Sequence, residues 1–188
     1  MTRPRGNGRL RAANAVLSAV MMALFLIHGV GNSFQMIGVG TPLSKALSHT
    51  LLMTCAIHAA IGVVLTVRTL RAQREAGVSY PARNVRFWLV RVSGLAIAVF
   101  VVAHVLVFLR PHQDVIRLAP FQATQLSLSL ALVVSMAAHV LANMEPLMVS
   151  LGVPMPGERA ADLMLVLVAL LALMGVAFCI YYLRWSVI

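Results

Sequence analysis

The chain has 188 residues, of which 61% are hydrophobic and 11% charged. Its mean hydropathy is +0.92. A soluble domain is nearer about half apolar and about a quarter charged, so the composition excludes a water-soluble globule and marks an integral membrane protein. The net charge of +10 does not mark a nucleic-acid binder, because the basic residues gather at the ends of apolar stretches. Aromatic residues are only 6%, and no alternating strand pattern of a membrane barrel appears, so the expected class is all-α.

Five apolar segments are each near the roughly 20 residues that cross the hydrocarbon of a bilayer. They form one transmembrane domain, a five-helix bundle. The first, 13–38, follows the basic residues Arg3, Arg5, Arg9 and Arg11. It lacks a clear cleavage site and reads as an anchor helix rather than a signal peptide. It carries His28 and Gly29, with Asn32 and Ser33 one turn on. The second, 45–70, carries His49 at its start, Cys55, His58 and Gly62. A basic connector follows, from Arg71 to Arg86, which offers a surface to a partner or to anionic lipid. The third, 87–109, carries Arg91, Ser93, Gly94 and His104, and His112 and Asp114 lie just beyond it. The fourth, 124–148, carries His139. The fifth, 161–183, has Cys179 and no histidine. The two cysteines read as small hydrophobes. Pro42, Pro81, Pro111, Pro120, Pro154 and Pro156 fall between segments, where helix breakers belong.

Orientation follows from the basic residues. Arg3, Arg5, Arg9, Arg11, Arg68, Arg71, Arg74, Arg83, Arg86 and Arg159 fall on one side, and Lys45, Arg110, Arg117 and Arg184 on the other. That imbalance places the N-terminus in the cytoplasm and the C-terminus outside, in a multi-pass membrane protein.

An imidazole in hydrocarbon needs a partner, so an intramembrane histidine is a functional-site hypothesis. Four such histidines stand on four different segments. Depth along each segment sorts them into an outer pair, His28 with His104, and an inner pair, His58 with His139. The levels are separated by roughly 10 Å at the helical rise. Facing imidazoles in an apolar bundle are a natural way to hold a haem iron from both sides, here two haems. Any one of these histidines taken singly fits a plain interhelical hydrogen bond equally well. Zinc fits less well, since it asks for four ligands at one depth. Gly29, Gly62 and Gly94 admit either a flat macrocycle or a neighbouring helix.

These residues resemble the dihaem cytochrome b membrane anchor of succinate:quinone oxidoreductases, the succinate dehydrogenase and fumarate reductase family. The resemblance runs from about residue 23 to residue 175. Its most telling stretch is RNVRFWLVRVSGLAIAVFVVAH at 83–104, with FLIHGVGNSF at 25–34, IHAAIGVVL at 57–65 and AAHVLANMEPLMVSLGV at 137–153 in the same order. It implies that His28 and His104 ligate a distal haem b, and His58 and His139 a proximal one. It implies a flavoprotein and an iron–sulfur protein docked on the cytoplasmic face, with electrons passing between succinate/fumarate chemistry there and a quinone, menaquinone being usual with two haems. The chain itself then does no dicarboxylate chemistry, and the whole complex is able to dimerise.

Arg91 suits a haem propionate at the inner surface, or snorkelling to lipid phosphate. Ser93, Arg86 and Trp88 are further candidates for the propionate environment, Trp88 equally as an interfacial anchor. Asn32, Ser33 and His49 are the candidates for an outer quinone site. His49 and His112 otherwise read as wetted interface residues. Some members of the family place a glutamate two residues before the fourth-segment ligand; Ala137 stands there in this chain, which argues against a glutamate-based proton path. Two other readings remain: the cytochrome b anchor of another quinone-linked complex, and a haem-free transporter using histidines as a proton relay.

Overall fold

The computed structural model describes residues 5–39, 43–77, 84–108, 121–153 and 157–186. They form five helices: α1 (Arg5–Met36), α2 (Lys45–Glu75), α3 (Val85–Phe108), α4 (Ala123–Ser150) and α5 (Gly157–Ser186). All five are long and apolar enough to cross a membrane. The six inter-segment prolines, Arg3, Arg83, Arg110, Arg117, His112 and Asp114 lie outside the described residues.

A helix satisfies nearly all of its own backbone groups, as a lipid-facing segment must. The hydroxyls follow the same rule. Ser18 donates to Asn14 O, Thr66 to Gly62 O, Ser93 to Leu89 O and Ser135 to Ala131 O, each four residues back on its own helix. Ser44 caps α2 by accepting from the Ala46 N–H. At the far end of α4, Gly152 takes φ +73°, and the Val153 N–H donates back to Met148 O at 3.0 Å. The glycine supplies the left-handed residue that ends a helix without strain.

The helices run up and down. α3 packs along α4 and α1 along α2, while α5 lies against α4 and α1. We call the end holding the α1–α2 connection the upper end. Phe121, Phe178 and Tyr181 form an upper core. Val140, Met144 and Leu167 form a lower one. Outside the bundle, Leu95, Leu106, Val134 and Leu165 are exposed. That is the expected arrangement for a surface solvated by lipid. α2 has no buried residue at all.

Pro146, which falls near the end of the fourth expected segment, sits inside α4. It has no N–H to give to the carbonyl four residues back, Ala142 O. Arg86 Nε donates to that oxygen at 2.8 Å, and Arg86 Nη1 pairs with Glu145 at 2.9 Å. The missing bond of one helix is thereby made by its neighbour, which ties the lower ends of α3 and α4.

Candidate functional site

The four intramembrane histidines come together in twos. His28 on α1 and His104 on α3 have ring centres 6.5 Å apart, with planes at 76°. His58 on α2 and His139 on α4 have ring centres 6.3 Å apart, with planes at 87°. Neither α1 with α3 nor α2 with α4 is among the closely packed helix pairs. The imidazoles therefore reach across the bundle's diagonals rather than along a helix seam. Among the described residues no three His, Cys, Asp or Glu side chains gather to hold a metal ion; the histidines stand as pairs.

The Nδ1 atoms are largely engaged. His139 Nδ1 lies 3.1 Å from Val90 O and 3.2 Å from Ser93 Oγ. A carbonyl oxygen only accepts, so this nitrogen carries the hydrogen and the Nε2 lone pair is free. His58 Nδ1 is 3.3 Å from Ser18 Oγ. His28 Nδ1 is 3.3 Å from Ser48 Oγ and 3.2 Å from Asn32 Nδ2. His104 Nδ1 is buried with no hydrogen-bond partner. Its ring sits instead between Phe108, 4.7 Å away, and Phe178, 6.3 Å away.

Two asparagines brace the histidine helices. Asn32 Nδ2 donates to His28 O at 2.7 Å, and Asn143 Nδ2 donates to His139 O at 2.8 Å, each one turn beyond its histidine. Gly94 is where α3 admits the lower pair. A Cβ there would stand 3.2 Å from His139 Cε1. Gly29 instead receives Met174 of α5, whose Cε would lie 2.5 Å from an added Cβ. Gly62, one turn past His58, has nothing within 4 Å of such a Cβ. Open space thus lies beside the lower pair on α2.

The remaining sequence candidates separate. Ser93 is buried and lies against His139. Arg91 Nη1 donates to Phe87 O at 2.8 Å, and its guanidinium carbon stands 3.3 Å from the centre of the Phe87 ring. Arg91 Nε is buried without a partner. Arg86 is engaged by Ala142 and Glu145, so its guanidinium serves the α3–α4 seam. Trp88 is exposed. Of the three quinone candidates, Asn32 is drawn to His28. Ser33 is only 4% exposed and donates to Gly29 O. His49 is exposed on α2. Sequence reasoning passed over Ser18, Ser48, Asn143, Phe108 and Phe178. The recurrence of Asn four residues after His28 and His139 was the available signal for Asn143, and the same spacing marks Phe108 after His104.

Comparison with protein-family models, with curated proteins and with solved structures returns no match for this chain.

Proposed function

We propose that this multi-pass membrane protein is a cytochrome b anchor subunit, carrying electrons through two b haems between a flavoprotein/iron–sulfur succinate dehydrogenase or fumarate reductase and membrane menaquinone. On this reading the upper level is the outer one. The excess of Lys and Arg at the lower end puts that end, with the N-terminus, in the cytoplasm of a prokaryotic cell.

The observation that carries the reading is the spacing of the imidazoles. An imidazole nitrogen binds a first-row metal at about 2.0 Å and lies about 1.1 Å from its ring centre, so two imidazoles that held one iron from opposite sides would stand about 6.2 Å apart centre to centre. The two pairs stand at 6.5 and 6.3 Å. Rings that share one axis are free to turn about it, so steep interplanar angles suit the arrangement. Further support comes from the Nδ1 partners of His58 and His139, which leave Nε2 with the free lone pair in the way second-shell bonds orient metal-ligating histidines. The space beside Gly62 and the unpaired Arg91 Nε also fit a bulky group bearing carboxylates.

Bound haem supplies one-electron transfer, and axial ligation with burial sets its potential. The chain's own part is to hold each imidazole at its level, to exclude water with Phe108, Phe178 and the lipid-facing apolar wall, and to offer Arg91 to a carboxylate. Arg71 and Arg74, exposed at the lower end of α2, offer a cationic edge to the soluble partners.

The test is a reduced-minus-oxidised spectrum of the purified chain, followed by addition of a reduced menaquinone analogue. Two b haems per chain, reducible by the quinol, are expected. A colourless protein overturns the reading and leaves a histidine relay in its place.

A further inference from the structure

α1 and α2 exchange serines and histidines reciprocally. Ser18 of α1 meets His58 of α2, and Ser48 of α2 meets His28 of α1. Moving ten residues up α1, from Ser18 to His28, moves ten residues back along α2, from His58 to Ser48. This is the register of an antiparallel pair. Each helix therefore presents a hydroxyl to the other's imidazole, once at each level.

α3 and α4 make half of the same exchange. Ser93 of α3 meets His139 of α4. Eleven residues up α3 from Ser93 is His104, and eleven back along α4 from His139 is Leu128. Eleven residues are close to three helical turns, so His104 and Leu128 repeat the facing of Ser93 and His139 one level higher. Leu128 has no hydroxyl, and His104 Nδ1 has no partner.

The serines are oriented as acceptors. Ser18 gives its hydrogen to Asn14 O at 2.7 Å and Ser93 gives its hydrogen to Leu89 O at 2.6 Å. Their oxygen lone pairs are what remains for an Nδ1–H. At His139 the Val90 carbonyl enforces the same tautomer. At His28 the Asn32 Nδ2, an N–H donor 3.2 Å from Nδ1, calls for a lone pair on Nδ1 instead, so the Ser48 contact does not fix a hydrogen there.

We propose that Ser18, and Ser93 together with the Val90 carbonyl, are positioning groups that keep the hydrogen on Nδ1 and the lone pair on Nε2 in the two lower imidazoles, and that Leu128 leaves His104 of the upper pair without such support. This rests on the haem reading above and assigns its ligand tuning. An Nδ1–H that donates to an oxygen makes the imidazole a stronger electron donor, which favours the ferric over the ferrous iron.

The experiment is a redox titration of both haems in purified wild type and in Ser18→Ala, Ser18→Thr, Ser93→Ala, Leu128→Ser and Leu128→Val. Ser18→Ala is expected to move the lower haem alone to a more positive potential, by about tenfold in the ferric/ferrous equilibrium, or about 59 mV for one electron. Ser18→Thr restores it. Ser93→Ala moves the lower haem less, because Val90 O still accepts from His139 Nδ1. Leu128→Ser moves the upper haem alone in the negative direction, and Leu128→Val does not. Unchanged potentials in both Ser18→Ala and Leu128→Ser, at full haem content, overturn the proposal. If Ser18→Ala does not fold, Leu128→Ser decides. A wild-type chain without haem is a different failure: it removes the underlying reading, and the ligand tuning falls with it.

Discussion

At the lower level both imidazoles have a polar partner for Nδ1, from Ser18 on one side and from Ser93 with Val90 on the other. At the upper level His28 is similarly held by Ser48, but His104 is gripped by aromatic rings. Phe108 and Phe178 stand against it, and Phe178 stacks in turn on Phe121 with planes 6° apart. One level is aimed by hydrogen bonds, the other on one side by shape. In a membrane interior, where apolar contact with lipid costs little, close packing of rigid rings and interhelical hydrogen bonds are the two means left to fix a side chain. This molecule uses one of each on opposite sides of its upper pair.

That contrast can be broken by removing volume at one level and adding it at the other. Phe178→Ala opens a void beside His104 and should cost about 3 kcal/mol of stability. On the proposed two-haem reading, on which the haem measurements below also rest, it should lower haem content at the upper level while the lower spectrum persists. Thermal unfolding in detergent with parallel haem counting checks this, and equal loss from both levels would erase the distinction. Gly94→Ala works on the other level. Its new Cβ, 3.2 Å from His139 Cε1, must push the ring or α3, at about 1–2 kcal/mol. The lower haem's spectrum should shift and the upper one's should not. Gly29→Ala sharpens the point. It meets the tip of Met174, an unbranched side chain that can swing away, so a cost of less than about 1 kcal/mol is expected although the collision is nominally closer. Arg86→Ala should do least. Its ion pair with Glu145 is largely exposed, with side-chain exposures of 47% and 70%, and such pairs contribute at most about 1 kcal/mol. It should lower the melting temperature slightly and leave the ratio of the two haems unchanged.

The pairing of the histidines was legible before the structure because depth in a membrane is nearly sequence distance along a helix. His28 and His104 fall at one height, and His58 and His139 at another, once five spans are laid up and down. The spans were legible for the same reason, though the helices extend beyond the hydrocarbon segments, α1 starting at Arg5 rather than near 13. The faces were not legible. α5 is apolar all round, so nothing in its periodicity says that Phe178 turns toward His104. Arg86, read from sequence as a propionate candidate, is bound to α4 because Pro146 on a separate helix leaves Ala142 O without its usual donor. The serines escaped notice since a serine inside a span ordinarily bonds its own helix. Ser18 and Ser93 do that and face a histidine as well, which only the register between helices reveals.

The central claim is that imidazoles pair by level. It is tested most directly by counting haem in double variants. His28→Ala with His104→Ala removes both members of one pair, and one haem per chain should remain. His28→Ala with His139→Ala takes one member from each pair, and none should remain at full occupancy. One fully ligated haem surviving in that mixed variant would contradict the account.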